Sequence, residues 1–459
     1  MTGTTTDISI PKLRVELNGR VVARGDAEYD DARTLFYGGF DRRPAVIVRA
    51  ADAADVARVI ELARETGLQL AVRSGGHSVP GHSTTEGGIV LDLRDLNGLE
   101  IDVDSRTAWA ETGLTTGRYT DAAAEHGLAT PFGDTGSVGI GGLTLGGGVG
   151  YLVRKHGLTI DSMLAADVIT ADGELLRVDA ESHPDLFWAI RGGGGNFGVA
   201  TRVRLRLHEV GSVLGGMLIL PATPDTIRSF VEAAETAPEE LSGIANVMPA
   251  PPMPFLPEEQ HGRPVIFALI VYAGDIEVGE RAVAPFRALA EPLADMVGPK
   301  PYPAIFEGFG GEEDFHPLAA MRTMFVDGID RSAAETIVEQ LQVSTALIAV
   351  TQLRVLGGAA ARVPADATAY AHRQSRIMVN VAALFGTPGE APEHEPWVNG
   401  LADALRQDDQ GAYVNFLGDE GEERIRAAYP GETWDRLVAV KRRYDPTNLF
   451  RLNQNISPG

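Results

Sequence analysis

No cysteine occurs anywhere in the 459 residues. That absence removes disulfides, thiolate zinc sites, iron–sulfur clusters and a cysteine nucleophile in one step. His, Asp, Glu, Tyr, Lys, Ser or a bound cofactor must carry any chemistry. Positive charge is scarce as well: 40 Lys and Arg stand against 63 Asp and Glu, a formal net charge of -23. Such a surface repels phosphate backbones and anionic lipid head groups, so neither nucleic acid nor a membrane is an expected partner. No stretch approaches roughly 18 consecutive apolar residues, and the opening MTGTTTDISIPKLRVEL has neither a basic n-region nor an apolar h-region. The expected location is the cytoplasm.

Segments polar enough to argue disorder are also missing, with 44% apolar and 22% charged residues. At roughly 100–200 residues per domain, the length suggests two or three. Glycine is abundant at 53 residues, and it clusters in the first 200 or so positions, as at Gly146 to Gly148 and Gly192 to Gly195. Backbone there is expected to lie close to something.

Early periodicity alternates between strand and helix. Val56, Val59, Ile60 and Ala63 predict a helix over 52–66 behind a capping Asp52. Leu68, Leu70 and Val72 then alternate as a strand that runs into Gly75-Gly76, and further strands are expected at 88–93, 165–170 and 199–208. From about 211 the pattern becomes strand, helix, strand, with helix starts near Asp225, Asp275 and Ser332 and a strand at 346–356. That suggests an antiparallel sheet covered by helices. A basic amphipathic helix over 434–443 ends at Tyr444-Asp445-Pro446. The expected organisation is α+β: one domain from 1–210 completed by 405–459, and an inserted one from 211–404.

Three glycine-rich segments carry the chemistry. In Arg73-Ser74-Gly75-Gly76-His77-Ser78 a strand ends in two glycines, whose outward amides form a nest suited to a pyrophosphate, with His77 beside it. The same residues also read as a tight turn with an incidental histidine. The run from Pro131 to Gly150, with Val138, Gly139, Gly141, Gly142, Gly146 and Gly148, spends much conformational entropy and suits backbone pressed against a flat or anionic ligand. A Rossmann loop does not fit, because no clean G-x-G-x-x-G follows a strong strand and no acidic residue follows at the expected distance. A bend between small helices remains the alternative. The third segment is Arg191 to Val199, containing Gly195 and Gly198. No His/Asp/Glu cluster has metal-ligand spacing, so no metal is expected.

In this order and spacing, together with Tyr413-Val414-Asn415-Phe416 and the closing Lys441, Tyr444-Asp445-Pro446-Thr447-Asn448 and Asn453-Gln454-Asn455-Ile456, the segments resemble the berberine-bridge-enzyme-like branch of the vanillyl-alcohol oxidase and p-cresol methylhydroxylase superfamily. The resemblance spans nearly the whole chain. It implies a two-domain FAD-binding fold with an inserted substrate-binding domain, and FAD as cofactor. His77 falls on the histidine that the family joins to the flavin 8α carbon. Many relatives add a second link through cysteine; that position here is Thr135, so a single covalent link is implied. The pyrophosphate would rest on Arg73, Ser74, Gly75, Gly76 and Ser78, with Gly195, Gly198, Val199, Asn453 and Asn455 also against the cofactor, and His82 either contacting it or capping the turn.

Val138 takes the place where the family's oxygen-using members keep a small residue, which implies an oxidase with O2 as acceptor. Phe416 replaces a tyrosine that helps sugar-oxidising members deprotonate alcohols. An amine can already be neutral and needs less such help, so amine or N-heterocycle oxidation gains over sugar oxidation. Tyr413 and Asn415, read as sharing one face of a strand, are candidate catalytic or substrate-holding residues. Gln352 and Arg354, which share a face by alternation, are the first candidates from the inserted domain, or else two solvent-facing polar residues. The expected partners are a small organic molecule and O2. A monooxygenase or cyclase of secondary metabolism, or a flavin-loaded protein that sequesters a small molecule, are the alternatives. The sequence carries no signal for oligomeric state.

Overall fold

The computed structural model describes residues 8–306 and 316–459. Its first sheet has the strand order Arg20–Ala23, Val46–Arg49, Ile89–Asp92, Leu70–Arg73. The first pair is antiparallel and the other two are parallel. Parallel neighbours need a crossover, and helix Ala53–Thr66 lies on the one between Val46–Arg49 and Leu70–Arg73. Asp52 caps it as its sequence predicts, accepting from the Asp55 N–H at 2.9 Å. At the other end Gly67 adopts φ 69° and its N–H closes onto the Ala63 carbonyl. Val56, Val59, Ile60 and Ala63 join one core with Val46, Val48, Leu70 and Leu91. Strand Leu70–Arg73 therefore delivers Ser74 to Ser78 from a fixed edge.

The second sheet is antiparallel, in the order Leu99–Asp102, Thr107–Glu111, Val199–Arg206, Met163–Ile169, Leu175–Asp179. The strands expected near 88–93, 165–170 and 199–208 are thus present as Ile89–Asp92, Met163–Ile169 and Val199–Arg206. The glycine segments occupy the connections around this sheet, next to the end of strand Leu70–Arg73.

Among the described residues eight strands form the third sheet, with Ser212–Pro221, Pro264–Tyr272, Leu241–Pro249, Ile348–Val355, Ile377–Phe385 and Leu318–Val326 as successive antiparallel neighbours. Helices Pro224–Thr236, Ile276–Arg287, Arg331–Val343 and Ala391–Leu405 cover one face. Ile227, Phe230, Phe286, Ile337 and Leu401 pack there against Leu218, Ile266, Leu353 and Val379. Full burial of each such side chain contributes about 1.5–3 kcal/mol.

Two helix starts are set two residues earlier than the nearest Asp or Ser suggested. A capping side chain must reach the N–H three positions on; Thr223 does this for Thr226 at 3.1 Å and Asp330 for Ala333 at 2.8 Å. Asp275 caps where expected, accepting from Val278 at 3.0 Å. The sheet's other face turns toward the glycine-rich loops, with Ile219, Val265 and Phe267 in one core with Tyr151 and Leu152.

The chain then returns to the first two sheets. Helix Glu432–Tyr444 covers the expected basic segment, and Lys441 on it is completely buried. Its ammonium donates to the Asp445 carboxylate at 2.7 Å and to the carbonyls of Asn196 and Phe450 at 2.7 and 2.9 Å. One side chain thus ties the C-terminal segment to the third glycine loop.

Candidate active site

A cavity of about 570 Å³ opens between the third sheet and the glycine-rich loops. The first loop supplies Ser74, Gly75, Gly76, His77 and Ser78, the second Val138, Gly139, Gly141 and Gly142, and the third Gly195, Gly198 and Val199. The sheet contributes Met321, Gln352, Arg354, Asn380 and Leu384, and the C-terminal segment Tyr413, Asn415 and Asn453. Residues more than 300 positions apart thus share one wall.

The first two loops touch directly. Ser74 Oγ donates to the Thr112 carbonyl at 2.6 Å, and Gly75 packs on Gly139 so closely that a Cβ on either would come within 2.3 Å of the other's backbone N. Gly76 adopts φ 74°, the left-handed region that glycine enters most readily. That turn presents His77, whose ring stacks on Phe36 with centroids 4.1 Å apart and whose Nε2 lies 3.2 Å from Ser137 Oγ. Burial pushes His77 down to about 4, and the Ser137 hydrogen bond offsets only part of that. The imidazole is therefore neutral at pH 7, the form in which a ring nitrogen has a lone pair to share. His82 also lines the cavity, is pushed down to about 4 by burial, and has a buried Nε2 without a partner.

Four expected contacts are not on the cavity wall. The Arg73 guanidinium turns away from it: it donates to the Ala32 carbonyl at 2.6 Å and pairs with Asp92 at 3.1 Å, so its role is to hold the strand end. Gly146 and Gly148 are small for the sake of protein neighbours; a Cβ would come within 2.0 Å of Asn415 Oδ1 and of Thr159 Oγ1 respectively. Asn455 lies just beyond the lining residues, although its Oδ1 is buried without a partner. Gly142 and Gly195 behave as expected of ligand-facing glycines, since a Cβ there would meet nothing within 4 Å.

Tyr413 and Asn415 are not on a strand. Residues Val414–Phe416 form a 3-10 turn, closed by the Phe416 N–H donating to the Tyr413 carbonyl at 2.9 Å. The turn still brings the two side chains together: Asn415 Nδ2 donates to the Tyr413 hydroxyl at 3.0 Å and to the Leu143 carbonyl at 3.1 Å. The same hydroxyl accepts from the Gly148 N–H at 2.9 Å. Burial pushes the phenol up to about 12, so it keeps its proton while its oxygen accepts from these two donors.

Gln352 and Arg354 do share a face, and both line the cavity rather than face solvent. Arg354 Nε donates to Gln352 Oε1 at 2.8 Å, and the guanidinium forms an ion pair with Asp134 of the second glycine loop. The pair crosses from the sheet to the loops. Local pattern gave no warning of Asn380, Asp134 or Tyr37 as lining residues. Asp134 lay in plain view within a glycine segment, but its partner is 220 residues away.

Comparison with known proteins bears on what fills this cavity. A family model described as "FAD binding domain" matches residues 44–179, and one described as "Berberine and berberine like" matches 412–457. An uncharacterised FAD-linked oxidoreductase of Bacillus subtilis (strain 168) is 31% identical over 97% of this chain and 98% of its own length. The (R)-6-hydroxynicotine oxidase of Paenarthrobacter nicotinovorans is 30% identical over the same shares of both chains. The crystal structure of 6-hydroxy-D-nicotine oxidase from Arthrobacter nicotinovorans superposes with a TM-score of 0.86 at 29% identity, covering 96% of this chain and 98% of that one.

The cavity fits FAD on its own evidence. It is long enough to be bounded by all three glycine loops, two of its glycines face open space, and the buried His82 Nε2 and Asn453 Oδ1 have no partner among the described residues. Unpaired buried polar atoms of this kind call for a ligand's donors and acceptors. The chain belongs to the berberine-bridge-enzyme-like family of FAD-linked oxidoreductases.

Proposed function

We propose that the protein is an oxidase that holds FAD through one covalent bond to His77 and oxidises a small amine or N-heterocycle, passing two electrons and two protons to O2 to give H2O2. The carrying observation is the placement of a neutral, ring-stacked His77 on the cavity wall. Bound FAD supplies the electron-poor ring that accepts hydride from the substrate and returns the electrons to oxygen.

The remaining work falls to the chain's own side chains. Phe36 fixes the plane of the His77 ring, and Ser137 engages one of its nitrogens. Thr135 lines the cavity at the position of the family's second link and offers no thiol, which supports attachment at His77 alone. Val138 lines the wall without bulk, which supports access for O2. Tyr413 holds its proton and so orients a substrate lone pair by donating to it; it does not act as a base at neutral pH. Phe416 adds no hydroxyl. A substrate that needs no alcohol deprotonated suits this pair of residues, and the relative named for 6-hydroxynicotine supports the nitrogen class.

The test has two readings on one preparation. Yellow colour should remain in the acid-precipitated pellet, and an amine panel should consume oxygen with one peroxide released per turnover. Colour released to the supernatant would sink the covalent bond. Labelled oxygen appearing in the product would replace oxidation by oxygenation.

A further inference from the structure

We propose that the sheet wall of the cavity is a neutral amide surface, with Asn380 as its contact residue, and that it selects an uncharged substrate bearing a carboxamide-like donor and acceptor rather than an ammonium or a carboxylate. The inference rests on the active-site reading above and names the substrate class of that site.

Strand register sets out the surface. Asn246 pairs with Gln352, Gln352 with Asn380, and Asn380 with Thr323, so four strands contribute one polar row to one face of the sheet. Two of its members, Gln352 and Asn246, already have partners, and Thr323, whose Oγ1 finds none among the described residues, lies off the cavity lining. Gln352 donates to Asn246 Oδ1 at 2.7 Å and accepts from Arg354, whose charge is met by Asp134. Asn246 donates to the Phe267 carbonyl at 3.2 Å.

Asn380 is the unpaired member on the cavity wall. It lines the cavity, is only 8% exposed, and its buried Oδ1 has no hydrogen bond to any described residue. A buried amide left unpaired loses its hydration for no return unless a ligand completes it. The complement of an amide is another group with a donor and an acceptor side by side. Met321, Leu384 and Pro317 elsewhere on the same cavity lining are apolar, which favours an otherwise hydrophobic ligand.

Charge balance argues the same way. Asp134 and Arg354 are the charged side chains among the described lining residues, and they cancel each other. His77 and His82 are held neutral by burial. An ion entering here would shed its water and find no free counter-charge. An amine substrate would accordingly enter as its uncharged form.

Benzamide, benzoate and benzylammonium test this by titration into the FAD-loaded enzyme at pH 7, read as perturbation of the flavin spectrum. Benzamide should bind at least about tenfold tighter than either ion. Asn380→Leu should weaken benzamide about tenfold with FAD content unchanged, and the near-isosteric Asn380→Asp should shift preference to benzylammonium. Either ion matching benzamide, no benzamide binding, or an Asn380→Leu variant that binds benzamide as well as the parent would overturn the proposal. Because binding is read without turnover, a failure to release peroxide would count against the oxidase reading and leave this result standing.

Discussion

His77 is one of ten histidines, and what separates it from the others is its surroundings. His372 Nε2 donates to the Ala428 carbonyl at 3.0 Å and His208 is bonded to Ser162 at 3.1 Å, whereas His77 stands on the cavity wall with its ring plane fixed by Phe36. Replacing it with alanine should leave FAD held only by non-covalent contacts: the acid-precipitated pellet of His77→Ala should be colourless, and flavin should elute apart from the protein in gel filtration under denaturing conditions. Tyr413→Phe should behave differently. It strands the Gly148 N–H that the hydroxyl receives at 2.9 Å, a loss of about 1–3 kcal/mol in thermal or denaturant unfolding, while flavin content stays unchanged and turnover falls. Loss of flavin from Tyr413→Phe would show that the residue serves the cofactor rather than the substrate side.

Among the elements, those written in local periodicity were the legible ones. Helix Ala53–Thr66 shows its apolar stripe, its Asp52 cap and its terminal Gly67 within 16 consecutive positions, so sequence alone locates it. The Tyr413 turn is different. Its alternation of Tyr413 and Asn415 is what a strand would show, and the 3-10 form follows from bonds to Leu143 and Gly148 more than 260 residues upstream. Asn380 is equally silent in sequence, because its place opposite Gln352 is decided by strand register. Helix Glu432–Tyr444 carries the sharpest energetic prediction at this scale. Lys441→Met would leave the Asp445 carboxylate buried without its cation, which costs about 3–5 kcal/mol. Adding Asp445→Asn should recover part of that, measured as the unfolding midpoint of the double variant against the single.

Taken whole, the molecule is acidic, with a sequence pI of about 4.8, yet its response to mild acid should be set by histidines. Burial pushes His82 and His208 down to about 4 and His156 to about 3, and lowers His372 as well. Each is neutral when folded and charges readily when unfolded, so below about 6.5 the unfolded chain binds more protons. Stability is then fully present above that pH and is lost as pH falls toward the folded values. Over pH 7 to 5.5 the carboxylates scarcely titrate, so relief of charge repulsion does not compensate. The Tm should drop by several degrees across that interval; a constant or rising Tm would contradict the burial of these rings.

The bond between Asp134 and Arg354 spans the loops and the sheet, and this bears on how such proteins can diverge. A sheet transplanted from a relative would bring its own residue to the place of Arg354. Unless the loop residue changed with it, a carboxylate would be left in the cavity wall without its cation. Inheritance at these two positions is therefore expected to be paired, and recombination libraries that separate them should be depleted of folded members.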